Sequence, residues 1–179
     1  MTNKILLVIF IILCSCSGNK GPDTRTAQKQ EVSKDDMVRA NQFLVGKDMD
    51  LIKAYIKRRN WDMEFSKTGL GYQIYKHGKG KKVEIGNLVT LEYSLSLLDG
   101  TVCYSSEDDG LKTFRVGQGG VEAGLEEGVL MLQEGDRARL ILPPYLGHGL
   151  VGDQKRIPPR AVLIYEIEVV KVADRKIPG

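Results

Sequence analysis

Residues 88–106 read "LVTLEYSLSLLDGTVCYSS", from Leu88 to Ser106. Val89, Leu91, Tyr93, Leu95 and Leu97 fall on one side of an extended chain, and Thr90, Glu92, Ser94 and Ser96 fall on the other. Successive strand residues point to opposite faces, so this alternation predicts a half-buried antiparallel strand. Asp99-Gly100 then supplies a turn into a second strand, Thr101 to Tyr104. Further out, "TFRVG" (Thr113–Gly117) and "DRARLIL" (Asp136–Leu142) predict two more short strands. In "RIPPRAVLIYEIEVVKV" (Arg156–Val172), Leu163, Tyr165, Ile167 and Val169 share a face opposite Glu166 and Glu168. Between these strands lies "GGVEAGLEEGVLML", where Val121, Leu125 and Val129 recur every four residues. That spacing suits a short helix with one buried stripe. The pattern predicts an α+β fold, an antiparallel sheet packed on one short helix.

The N-terminal third reads differently. Lys4 precedes nine apolar residues, Ile5–Leu13, enough for a signal-peptide core and too few to span a bilayer as a helix. The following Leu13-Cys14-Ser15-Cys16 resembles the bacterial lipobox, with Cys16 as the acylated residue. An ordinary signal peptide cleaved nearby is the alternative. More than one acyl chain anchors stably. The expected organisation is a signal peptide over 1–15, a lipidated polar tether over 16–32 and a helical segment over 33–62. Ser33 and Asp36 have capping-box spacing. Met37, Ala40 and Leu44, then Leu51, Ile52, Tyr55 and Ile56, recur at helical intervals around Gly46. One long helix and two shorter ones are both compatible with this pattern. So are packing on its own domain and pairing with a second copy.

Of 179 residues, 42% are hydrophobic and 27% charged, and the net charge is +3. That balance is globular and too mild to indicate nucleic acid. The densest basic stretch, "YKHGKGKKVEIGN", reads as a solvated glycine-containing loop. The two histidines, His77 and His148, show no metal-ligand spacing. The glycines at 117, 119, 120 and 124 lack the Lys-Ser/Thr of a phosphate loop. With Cys14 removed and Cys16 acylated, Cys103 remains as a lone thiol, so an internal disulfide is not expected. Tyr93, Tyr104, Phe114, Tyr145 and Tyr165 each read as core when taken singly.

Their order carries more. "VTLEYSLSLLDGTVCYSS", "FRVGQGGVEAGLEEGVLMLQEGDRARLILPP", "YLGHG" and "IPPRAVLIYEIEVVKV" occur in sequence and together resemble the FKBP family of peptidyl-prolyl cis-trans isomerases. The resemblance covers residues 69–173, and its most specific parts are Glu126-Glu127-Gly128, Gly135 with Arg137 and Arg139, Pro143-Pro144 and Ile157-Pro158-Pro159. The lipobox and helical segment further resemble bacterial lipoprotein members, including those associated with gliding motility in the Bacteroidetes.

The resemblance implies a pocket between sheet and helix, formed by Tyr93, Val121, Leu125, Ile157 and Tyr165. Cys103, Tyr104 and Phe114 would lie beside it. Ile157 would offer its N–H to a substrate carbonyl, and His148, in place of the family's loop tyrosine, would act as a donor; a solvated loop histidine is the alternative. Five further positions depart from the family's usual residues. Cys103-Tyr104 replaces Phe-Asp, Lys112 an aromatic residue, Glu122 an Ile and Leu125 the indole common in eukaryotic members. Tyr165 for Phe is a mild change.

The implied activity is isomerisation of X–Pro bonds in exported envelope proteins, with no cofactor and no metal. Its clients would be proline-containing, unfolded or partly folded chains. The expected location is the cell envelope, through a lipid anchor in the outer membrane on its periplasmic face. A homodimer through the N-terminal helix is a further expected partner. The competing reading is a lipid-anchored chaperone or assembly factor with weak or no isomerase activity.

Overall fold

The structure, a computed structural model, describes residues 33–174. Helix α1 spans Lys34–Arg59 without interruption, so Gly46 does not divide it. The expected signal peptide, tether and acylated Cys16 lie outside the described residues. Strands follow at Glu64–Phe65 (β1), Gly71–Lys76 (β2), Leu88–Leu97 (β3), Val102–Ser105 (β4), Lys112–Arg115 (β5), Arg137–Leu142 (β6) and Leu163–Ala173 (β7). Two short helices interrupt them, α2 at Ser106–Asp109 and α3 at Ala123–Val129. The sheet runs β1-β2-β6-β7-β3-β4, with β5 paired to β3, and every pairing is antiparallel. Apart from β1 and β2, which were not individually expected, each strand lies within a residue or a few of its predicted position.

β7 is central. It pairs with β6 on one side and β3 on the other, which places Tyr165 between Leu140 and Leu95. The inner face of the sheet carries Leu91, Leu95, Leu140, Leu163, Tyr165, Ile167 and Val169 in one core with Leu125 and Val129 of α3. A Cβ at Gly124 would stand 2.5 Å from Leu142 Cγ, and one at Gly128 would stand 2.5 Å from Leu140 Cδ1. These two glycines let α3 lie directly on β6. Gly124, the last of the tempting glycine cluster, therefore serves packing.

The outer face holds a second, smaller core. Ile141 and Ile164 pack there with Ile52 and Tyr55 of α1, together with Val162. Asp48 of the helix accepts a hydrogen bond from Arg160 at 2.7 Å, tying α1 to the loop that leads into β7. Trp61, just past the helix, meets Tyr55 edge-on at 5.5 Å and lies under the Arg139 guanidinium at 3.8 Å. Thus the second half of α1 packs on its own sheet. The first half does not: Met37, Ala40 and Phe43 are exposed, Phe43 to 71%. The expected stripe of Met37, Ala40 and Leu44 is therefore unburied except in part at Leu44. Leu51, grouped with the buried set by spacing, is also half exposed.

Candidate active site

A pocket of about 490 Å³ opens between the inner face of the sheet and the start of α3. β3 contributes Tyr93 and Leu95, β4 contributes Tyr104, and β5 contributes Lys112. Val121, Glu122 and Ala123 form the wall where α3 begins, and Gly147, His148 and Asp153 come from the loop before the proline pair. Tyr93, Tyr104, Val121 and His148 are thus brought together around one cavity. Leu95, Ala123 and Asp153 join them without having been singled out. The departures at Lys112 and Glu122 also prove to be lining residues.

Five expected residues sit beneath the pocket. Tyr165 is fully buried, and so is Leu125; Phe114, Cys103 and Ile157 are buried in the same core. Tyr165 lies below Tyr93, ring centroids 6.1 Å apart at 43°. It is floor rather than wall because β7 is the middle strand and α3 lies over it. Cys103 is a free, buried thiol whose Sγ lies 3.4 Å from the Arg156 carbonyl, and burial pushes its pKa up.

The Ile157 N–H corrects a second expectation. It donates to Asp153 Oδ1 at 2.8 Å, so it is not free to hold a substrate carbonyl. Asp153 organises this loop. It also accepts from the Lys155 N–H at 2.9 Å and, through a short bond, from the Tyr104 hydroxyl, while its own N–H donates to the Ile157 carbonyl at 3.1 Å. Burial alone raises the Asp153 carboxyl, but the bonds from Tyr104, Ile157 and Lys155 outweigh it and hold the group at about 2. The Arg160 N–H closes the loop onto the Gly149 carbonyl at 2.9 Å. The prolines follow this closed turn and carry the chain into β7, where their missing N–H groups do no harm.

The start of α3 offers further main-chain donors. The first N–H groups of a helix have no intrahelical partner, and those of Glu122 and Ala123 belong to residues that line the pocket. The electrostatics are uneven. The Lys112 ammonium lies over the Tyr93 ring at 5.0 Å and 5.9 Å from the Tyr165 centroid. The Tyr165 hydroxyl donates to Glu122 Oε1 at 2.9 Å, and His148 Nε2 lies 3.0 Å from that oxygen. His148 is therefore engaged with Glu122 and is not simply solvated. The Tyr165 hydroxyl is strongly raised in pKa, first by burial and then by the Glu122 charge. The Tyr93 phenol is raised too, by burial and then by Asp109 and Glu122.

A second concavity of about 390 Å³, bordered by Tyr75, Glu92, Arg137, Glu166 and Glu168, offers less chemistry. Its Arg137 is already paired with Glu168 at 2.6 Å, and Glu166 is paired with Arg139. Among the described residues no group of His, Cys, Asp and Glu is arranged to hold a metal ion. No described helix is long and apolar enough to cross a membrane.

The chain is 39% identical over 106 residues to the probable FKBP-type peptidyl-prolyl cis-trans isomerase FkpA of Neisseria meningitidis, covering 59% of this chain and 38% of that relative. It is 36% identical to FK506-binding protein 1 of Dictyostelium discoideum, covering 57% of this chain and 96% of that one. Among solved structures, FkpA from Escherichia coli matches with a TM-score of 0.62 at 25% identity, over 80% of this chain and 75% of that one. AtFKBP13 matches with a TM-score of 0.60 at 31% identity, over 63% of this chain and 99% of that one. The family model for FKBP-type peptidyl-prolyl cis-trans isomerase matches residues 79–170, which hold both walls and the floor of the pocket, and the chain belongs to that family.

Proposed function

We propose that this pocket isomerises X–Pro peptide bonds in exported cell-envelope proteins. The observation that carries the reading is the pairing of an aromatic and aliphatic wall, Tyr93, Leu95 and Val121, with main-chain donors at the start of α3. The partial double bond of an amide sets a barrier of about 18–20 kcal/mol. In the twisted transition state the amide loses resonance and becomes less polar. A pocket with an apolar wall binds that state better than the hydrated planar one, and this difference is the catalysis. The donors of Glu122 and Ala123 hold the carbonyl preceding the proline, and the ring of Tyr93 covers the imide. Cis and trans forms differ by only about 0.5–1 kcal/mol, so no energy source or cofactor is needed.

The remainder of the proposal concerns place and partners. Leu13-Cys14-Ser15-Cys16 supports a lipid anchor at Cys16 and attachment to the periplasmic face of the outer membrane. Together with the helix that follows, it supports kinship with the gliding-motility lipoproteins. The exposed first half of α1, with Met37 and Phe43, supports pairing of two copies through that helix.

A chaperone reading keeps one specific observation in its favour. Lys112, Glu122, His148 and Asp153 give the pocket more charge than an imide requires. A prolyl-limited refolding assay with the full-length chain in mild detergent separates the two. Acceleration of the slow phase, lost on occupation of the pocket by a proline peptide, supports the isomerase. Suppression of client aggregation with no acceleration supports the chaperone.

A further inference from the structure

Two neighbouring positions at which this chain departs from its family's usual residues, Cys103 and Tyr104, meet the same loop, residues 147–160. The Tyr104 hydroxyl donates to Asp153 Oδ2. Cys103 Sγ lies 3.4 Å from the Arg156 carbonyl, and the Arg156 guanidinium returns a bond to the Cys103 carbonyl at 2.9 Å. That guanidinium also lies over the Tyr104 ring at 4.8 Å and pairs with Asp109 at 3.2 Å. The end of β4 is thus stitched to the loop at Asp153 and at Arg156.

The loop needs such fastening. Gln154 and Arg160 have φ of 59° and 58°, in a left-handed region that is costly for residues other than glycine. The Asp153 carboxylate spans the turn around Gln154. Its Oδ1 accepts from the Lys155 and Ile157 N–H groups, and its Oδ2 takes the Tyr104 hydroxyl. One carboxylate therefore closes the turn and fastens it to β4. At its other end the loop reaches the start of α3, where His148 Nε2 lies 3.0 Å from Glu122 Oε1. Between these two attachments it lines the pocket with Gly147, His148 and Asp153.

We propose that Tyr104 and Asp153 are positioning residues, whose bond holds this loop in its binding-competent arrangement before a peptide arrives. The inference rests on the isomerase reading of the pocket. If only a fraction of molecules has the wall in place, apparent affinity falls by that fraction. Turnover of the bound peptide is spared, because binding selects the molecules whose wall is in place.

The test measures kcat and KM of the full-length chain in mild detergent at pH 7.5 on one proline-containing tetrapeptide, together with amide hydrogen exchange of the peptide-free protein. The N–H groups of Asp153, Ile157 and Arg160 are all bonded within the loop. In Tyr104→Phe they should exchange about tenfold faster, the effect of losing one charge-assisted hydrogen bond. KM should rise about threefold or more, with kcat within about twofold of wild type. A merely structural loss does the reverse: it lowers the active fraction, and so kcat, at unchanged KM. In an Asp153→Asn background, Tyr104→Phe should change KM little. An equal rise in both backgrounds would mean that the hydroxyl touches the peptide itself, and overturns the inference, as does an unchanged KM in Tyr104→Phe alone. Should Tyr104→Phe not fold, Asp153→Asn keeps an acceptor for the Lys155 and Ile157 N–H groups and carries the same exchange and KM measurements. Absence of catalysis by wild type overturns the isomerase reading. Positioning is then read from affinity for the same peptide by chemical-shift titration, where equal affinities of wild type and Tyr104→Phe overturn the inference as well.

Discussion

The floor of the pocket and its rim follow different rules. The floor, Tyr165 with Leu125, Ile157 and Phe114, is buried in the main core, with Tyr165 and Phe114 placed by the sheet register. The rim, Lys112, Glu122, His148 and Asp153, comes from a strand, a helix start and a loop, and is ionisable throughout. The floor belongs to the packed core, whereas the rim is what a ligand entering the pocket would meet. The Tyr165 hydroxyl is where the two meet, because it reaches from the floor to the Glu122 carboxylate.

The most severe way to break this division is at the floor. Tyr165→Ala should cost about 3–5 kcal/mol of stability, as for large aromatic truncations in cores, read from the urea midpoint. Any protein that still folds should lose about tenfold or more in isomerisation, which corresponds to about 1.4 kcal/mol per decade. Unchanged catalysis in folded Tyr165→Ala would remove the ring from the site.

The next effect tests the junction. Tyr165→Phe keeps the ring and leaves Glu122 Oε1 with His148 as its remaining partner. It should cost about 1–3 kcal/mol, although Phe is the family's usual residue there and the change looks mild from sequence. In a Glu122→Ile background the same change should cost close to nothing. Equal cost in both backgrounds in a double-mutant cycle would show that the hydroxyl and the carboxylate are not coupled.

A smaller effect belongs to the rim alone. The Asp153 carboxyl is held at about 2 in the folded protein, below its ordinary value. A depressed acid contributes stability that is full above about pH 4 and is lost as pH falls toward 2. Because the group is largely open to solvent, the contribution is modest. Wild type should therefore lose thermal stability over that window by slightly more than Asp153→Asn. Parallel curves would show that the loop does not depend on this carboxylate.

The smallest expected change lies far from both regions. Phe43→Ser on the exposed half of α1 should leave monomer stability within about 0.5 kcal/mol. Dissociation of a dimer in sedimentation would identify that face as the contact between copies.

The inner face was legible from sequence because its burial repeats every two residues, as in Val89 to Leu97 and Leu163 to Val169. The outer face was not. Ile141 and Ile164 are buried because α1 lies over them, and local periodicity does not record what covers a sheet from outside. The same reason explains α1 itself, whose apolar residues continue past the point where the sheet ends beneath them. The pocket was located through motif order rather than physics. Its charged cluster stayed hidden because residues 122, 148 and 165 share an oxygen only through tertiary folding. The donor role assigned to Ile157 failed for a related reason: nothing in sequence shows that Asp153 has already taken that N–H.

The chain carries a single tryptophan, and its surroundings make it a selective optical reporter. Trp61 is held at the seam between α1 and the sheet by Tyr55 and the Arg139 guanidinium, and it is absent from the pocket lining. Its emission should therefore follow the docking of α1 and stay silent when a peptide fills the pocket. Detachment of the helix and occupation of the site can thus be watched as separate events in one unlabelled protein.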